Sequence, residues 1–150
     1  MKKLFVSAAL ALAVVTSSFA GDMVKVDKKI QSAFQKEFAS AFNPRWESVG
    51  EGVYHVTFTQ NSEVMDAYYN DDAELISIAR YVNQDQLPLL VTKTLNQKFS
   101  GSEITQIREL VTENETSYLV TAKNDNGIVI ARVFTSGGFQ IVKKIKNGKA

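Results

Sequence analysis

Apolar residues recur at Ile30, Phe34, Phe38 and Phe42, with Lys28, Lys29, Gln35 and Lys36 between them. That four-residue spacing predicts an amphipathic helix with one apolar stripe. Val26-Asp27 supplies a staple residue and an N-cap. Pro44 should end the helix, because the residue before proline avoids the α region. Leu87, Leu90, Val91, Leu95 and Phe99 repeat the stripe further along, with Asp85 as cap, Pro88 in the first turn and Ser100-Gly101 as the stop.

Behind each helix the period shortens to two. Strands are expected at 46–49, 52–59, 64–69 and 75–82 after the first helix, and at 104–111, 117–123, 128–134 and 139–145 after the second. Turn chemistry separates them at Gln60-Asn61-Ser62, Asn70-Asp71-Asp72, Asn124-Asp125-Asn126-Gly127 and Ser136-Gly137-Gly138. Alternation then sorts the side chains. Tyr54, Val56, Phe58, Met65, Ala67, Tyr69, Leu75 and Tyr81 should face the helices, as should Tyr118, Val120, Val129, Ala131, Val133, Phe139, Ile141 and Ile145. The opposite face should carry His55, Thr57, Tyr68, Ile76, Ile78 and Arg80, and Leu119, Thr121, Arg132, Gln140, Val142 and Lys144. Leu75-Ile76 and Ile141-Val142 offer apolar residues to both faces, so a slip of one residue there would invert the assignment.

The two halves resemble each other. At a constant offset of 64, residues 51–83 lie on 115–147 with identities at Glu51/Glu115, Tyr54/Tyr118, Val56/Val120, Thr57/Thr121, Ala67/Ala131 and Asn83/Asn147. The apolar pattern adds Tyr69 with Val133, Leu75 with Phe139 and Ile78 with Val142. In the helices the offset is 61, matching Ile30, Phe34 and Phe38 with Val91, Leu95 and Phe99. The expected fold class is α+β: two tandem α-β-β-β-β repeats, residues 26–83 and 87–147, forming one antiparallel sheet with two helices packed on one face.

The first twenty residues change the picture. Lys2-Lys3, the apolar run Leu4 to Val15, and Ser18 and Ala20 at the small-residue subsites read as a secretory signal peptide, 1–20, with cleavage before Gly21. The apolar run is well short of the roughly 20 residues that span a bilayer. The mature chain, 21–150, is then expected to be one domain without a membrane span, periplasmic or secreted. With no cysteine in the chain, disulfides, thiolate ligands and a lipidated N-terminal cysteine are all excluded. Removing 1–20 leaves near-neutral charge and no basic cluster, which argues against nucleic acid.

Little in the chain invites catalysis. A hydrolase triad needs a base, and the single histidine, His55, sits mid-strand where the other half has Leu119. One histidine and no cysteine cannot make a histidine-rich zinc site. Asp71-Asp72 lacks the ligand spacing of a calcium loop and reads as a hairpin turn. No glycine-rich phosphate loop follows a strand. No Asp or Glu stands out in an apolar context. No enzyme activity, cofactor or metal is expected.

The order helix, Tyr-x-Val-x-Phe, then an apolar strand ending in Tyr69-Asn70-Asp71-Asp72 before Leu75-Ile76-Ser77-Ile78 resembles the PepSY-like periplasmic proteins of Bacteroidetes. Where members often carry glycine in the turn, this chain has Ala73. The resemblance implies a fold like that of the β-lactamase inhibitory proteins, a sheet face used for binding, a link to PepSY domains, thought to act as peptidase inhibitors or propeptide modules, and no catalytic residues. The functional expectation is a non-enzymatic binding module, of the protein- or peptidase-inhibitor kind, for another exported protein or peptide. Its candidate binding residues are Tyr68, Arg80, Arg132, His55 and Lys144, since Tyr and Arg are enriched at binding hot spots. The alternatives are a small exported enzyme using scattered carboxylates and His55, or a structural subunit with no free ligand site.

Overall fold

The computed structural model describes residues 24–147. The expected signal peptide and the start at Gly21 lie outside the described residues. The eight strands belong to one antiparallel sheet, and the described residues divide into two compact units: 24–80 with Val111–Glu113, and Tyr81–Leu110 with 114–147.

In the first unit, α1 (Lys28–Glu37) precedes β1 (Phe42–Gly50), β2 (Val53–Gln60), β3 (Glu63–Asn70) and β4 (Leu75–Tyr81). Asp27 caps the helix as expected, its Oδ1 accepting the Lys29 N–H at 2.9 Å. Ile30, Phe34 and Phe38 pack on Val56, Phe58, Ala67 and Tyr69. The rings lock together, with centroids 4.7 Å apart for Phe38–Phe58 and 5.0 Å for Phe34–Phe58. The helix stops earlier than the four-residue spacing predicts. Phe38 leaves helical geometry while its N–H still donates to the Phe34 carbonyl, and the Ala41 N–H turns back to the Phe38 carbonyl at 3.0 Å. Phe42 therefore opens β1 and is 53% exposed instead of extending the stripe. Pro44 sits in a bulge of β1 beside Asn43, whose φ is 54°.

In the second unit, a 3-10 turn (Gln84–Gln86) leads into α2 (Leu89–Lys98), followed by β5 (Glu103–Thr112), β6 (Thr116–Asn124), β7 (Gly127–Phe134) and β8 (Phe139–Lys146). Asp85 belongs to the 3-10 turn, and the residue that caps α2 is Pro88, whose carbonyl accepts the Thr92 N–H at 3.0 Å. Val91, Leu95 and Phe99 pack on Tyr118, Val120, Ala131 and Val133, while Leu90 is 50% exposed and leaves the stripe. Thr94 Oγ1 donates to the Gly137 carbonyl at 3.0 Å and ties α2 to the turn before β8.

The central hairpins share one register. All eight pairs from Val53↔Asn70 to Gln60↔Glu63 reappear 64 residues on, from Ser117↔Phe134 to Asn124↔Gly127. The last strands depart from simple alternation. In β4, Ser77 pairs with Tyr68 and Leu75 with Tyr69, so Ile76 is an extra, bulged residue. Beyond it Ile78 and Arg80 lie opposite Ala67 and Met65, on the α1 side, and Ser77, Ala79 and Tyr81 lie on the other. This reverses the expected facing of Ile78, Arg80 and Tyr81. In β8 the extra residue is Val142, and beyond it Lys144 lies opposite Val129 on the α2 side while Ile145 lies opposite Ile128 on the other. Lys144 and Ile145 are likewise reversed. Arg80 and Lys144 thus hold equivalent places, opposite the equivalent residues Met65 and Val129.

Candidate binding face

In each unit the helix covers one side of its strands, and the candidate site is built on the other. In the first unit the residues there are His55 and Thr57 from β2, Asp66 and Tyr68 from β3, Ser77 from β4 and Glu47 from β1. Register alone brings them together: Glu47 is opposite His55, His55 opposite Tyr68, Thr57 opposite Asp66, and Tyr68 opposite Ser77.

His55 lies flat on Tyr68, with ring centroids 4.7 Å apart and planes 14° from parallel. Its Nε2 is 2.6 Å from Asp66 Oδ1, and its Nδ1 is 3.6 Å from Glu47 Oε2. A carboxylate only accepts, so Nε2 carries the hydrogen shared with Asp66. Thr57 Oγ1 donates to the same Asp66 oxygen at 2.8 Å and lies 3.4 Å from His55 Nε2. His55 and Asp66 are each 5% exposed and Tyr68 is 1% exposed. His55 is therefore a buried, hydrogen-bonded residue and not the half-exposed surface histidine that its position in alternation suggests. Ser77 is buried too, and its Oγ has no hydrogen-bond partner among the described residues.

In the second unit the corresponding positions hold Leu119 and Arg132. Arg132 Nε donates to Ser117 Oγ at 2.9 Å, its NH2 nitrogen meets Glu115 Oε1 at 2.7 Å, and its guanidinium lies 5.1 Å from the Phe134 ring centre. The planar fork is thereby fixed in direction. Two strands away, the Arg108 guanidinium lies 5.2 Å from the Tyr81 ring centre.

Of the expected site residues, the structure places His55, Tyr68 and Arg132 on a face uncovered by its unit's helix. Arg80 is moved to the α1 side, where it pairs with Glu63 at 3.1 Å, and Lys144 to the α2 side. The residues missed are Glu47, Ser77 and above all Asp66, which accepts from both His55 and Thr57. A carboxylate between Met65 and Ala67 in an apolar strand, directly across from Thr57 and next to His55's partner Tyr68, was the available signal. Aspartate is depleted in strands and seldom buried unless it has partners. Among the described residues no group of three or more His, Cys, Asp or Glu is placed to hold a metal ion, and no helix is long and apolar enough to cross a membrane. Asp71-Asp72 forms the β3–β4 turn, with Asn70 Oδ1 accepting the Asp72 and Glu74 N–H groups at 3.0 and 2.9 Å.

No protein-family model matches the sequence, and no curated protein matches it. Solved structures do. A BLIP-like protein from Bacteroides fragilis NCTC 9343 is 19% identical over 84% of this chain and 91% of its own, with a TM-score of 0.71. A DUF2874 family protein from Bacteroides uniformis ATCC 8492 is 14% identical over 81% and 90%, with a TM-score of 0.72. A protein described as "putative periplasmic", from Bacteroides eggerthii DSM 20697, is 14% identical over 79% and 90%, with a TM-score of 0.71. At these identities the likeness is one of fold, and the fold of this chain is BLIP-like: an antiparallel sheet with two helices.

Proposed function

We propose that the chain is a non-enzymatic, exported binding module of the inhibitor kind, which docks another exported protein or peptide on a sheet face that its helices leave uncovered. The observation that carries this reading is the polar floor of the first unit, where His55, Asp66, Thr57 and Tyr68 are fixed by one another on the side away from α1. At 1–5% exposure His55, Asp66 and Tyr68 act by fixing the strands beneath the exposed residues of that face, and a surface held rigid before a partner arrives lowers the cost of binding. The fold shared with a BLIP-like protein and the signal-like N-terminus support it. The pairwise agreement of the two central hairpins favours an origin of the two units by duplication.

The non-enzymatic part rests on the surroundings of His55. A triad histidine presents one nitrogen to a hydroxyl and the other to a carboxylate. Here both nitrogens face carboxylates, and the neighbouring hydroxyl of Thr57 gives its hydrogen to Asp66. Among the described residues, the hydroxyl hydrogen-bonded to the imidazole, that of Thr57, is thus committed to Asp66.

Burial divides the labour among these residues. Tyr68 and His55 form the floor, whereas Val64, 52% exposed and opposite Thr59, stands on the surface of the same face. Arg132 supplies a fixed guanidinium on the other unit's face. Affinity capture from a periplasmic extract identifies the partner, and its affinity is then measured for variants. Val64→Arg or Arg132→Ala should weaken binding by about 1–2 kcal/mol, with Lys36→Ala on the outer surface of α1 near wild type. Loss of binding in Lys36→Ala with both face variants intact would place the working surface elsewhere. Export is checked by fractionation, with a soluble product beginning at Gly21 expected.

A further inference from the structure

β8 pairs with β7 from Val133↔Phe139 to Gly127↔Lys146 and is the last strand in the order, so among the described residues its other edge has no neighbouring strand. Such an edge presents backbone N–H and C=O groups to any extended chain that arrives. Its residues are those of a surface strand. Gln140, Ile141 and Lys143 to Lys146 are all exposed, with Ile141 and Ile145 each at 43%.

The charge on this edge is uncompensated. Lys143 lies opposite Ile130 and Lys144 opposite Val129, so neither has an acidic cross-strand neighbour. Lys143, Lys144 and Lys146 make no ion pair among the described residues. Past the Val142 bulge, Lys143 and Ile145 point to one side of the strand and Lys144 and Lys146 to the other. An incoming strand would meet positive charge on both of its faces. The other end of the strand order is different in kind: β1 carries Pro44, which has no N–H to donate, a bulge beside it, and the mixed charges Arg45 and Glu47.

We propose that β8 is a docking edge for an extended acidic segment of a partner protein, which adds to the sheet as a further strand with carboxylates on one face beside Lys144 and Lys146 and aliphatic side chains on the other beside Ile145. The backbone edge supplies hydrogen bonds, and the lysines select the sign of the partner. This surface is separate from the uncovered faces and does not rest on their role. Edge lysines also act as guards against strand pairing, a role under which no peptide should bind.

The test titrates the purified protein with a capped peptide alternating Glu and Val. Two controls accompany it: one alternating Lys and Val, and the Glu/Val peptide N-methylated at alternate amides. Binding of the Glu/Val peptide alone is expected, weakening steeply with salt and slowing hydrogen exchange at those amides of β8 that point away from β7. Reversing the charges together, K143E, K144E and K146E, should weaken it by about tenfold or more and favour the Lys/Val peptide, with the melting temperature little changed. Absence of binding, equal binding of both charge types, indifference to N-methylation, or dimers formed through β8 in sedimentation would each overturn the proposal.

Discussion

Phe38 and Phe99 close their helices in the same manner. Each is the C-cap residue, and each backbone N–H donates to the carbonyl four residues back, at 2.8 Å to Phe34 and 2.9 Å to Leu95. Each ring is turned into its own unit's core at 7% exposure, so one residue both ends the helix and pins it to the strands beneath.

Truncating either ring should therefore be costly. Phe38→Ala and Phe99→Ala are each expected to lower the unfolding free energy by about 3–5 kcal/mol in chemical denaturation. Losses below about 1 kcal/mol at both sites would mean that the helices do not pack on these faces.

Asp66 accepts from both His55 and Thr57 in a buried setting, whereas Glu47 lies 3.6 Å from His55 with its side chain 39% exposed. Asp66→Ala strands the buried His55 N–H and the half-buried Thr57 hydroxyl and should cost about 1–3 kcal/mol. Glu47→Gln should cost under about 1 kcal/mol, as partly exposed pairs do. Equal effects in denaturant melts would refute this ranking.

Tyr69 is 1% exposed on the α1 side, and its hydroxyl has no hydrogen-bond partner among the described residues. Burial, followed by the nearby Glu37 charge, pushes its phenol up to about 12. An unfolded tyrosine ionises near 10, so the unfolded chain gives up its proton first. The stability due to the neutral phenol is whole below about pH 10 and is lost as pH rises through about 12. Tyr69→Phe should flatten this alkaline decline. A Tyr69 phenolate that forms in the native protein at the ordinary tyrosine value would contradict the assignment.

Ala73 sits at φ 63° in the β3–β4 turn, a left-handed conformation that favours glycine. Ala73→Gly is expected to raise stability by up to about 1 kcal/mol, the strain relieved outweighing the added chain entropy. Gly127 is the opposite case: at φ 137° an added Cβ would stand 2.0 Å from the Ile145 carbonyl oxygen, so Gly127→Ala should destabilise strongly. Thermal melts of the two variants shifting in the same direction would show the turns to be misassigned.

The helices and central hairpins were legible because several signals coincide there. Ile30, Phe34 and Phe38 share a stripe, Asp27 caps it, and the strands Tyr54–Phe58 and Met65–Tyr69 alternate without interruption. Phe42 misleads because apolar spacing continues beyond the point where the backbone turns at Phe38. Arg80 and Lys144 were misplaced for a different reason. A bulge adds one residue and leaves no mark in a run such as Leu75-Ile76 or Ile141-Val142, where either neighbour suits either face. Of the site, alternation reached His55, Tyr68 and Arg132. It could not show that His55 is buried between two carboxylates, because that depends on which strand each partner comes from.

The two bulges also loosen the bond between chain length and side-chain direction. The first unit takes its extra residue at Ile76 and the second at Val142, so Ile78 stands where Ile141 does, and the offset of 64 returns at Ala79 and Lys143. Deleting Ile76 or Val142 should leave every later side chain on its present face, whereas deleting Ile78 would turn the end of β4 over. Positions of this kind let such a sheet gain or lose a residue while its surface stays constant. Relatives aligned by residue count alone would then show false substitutions between the two bulge sites, where only the place of the insertion differs.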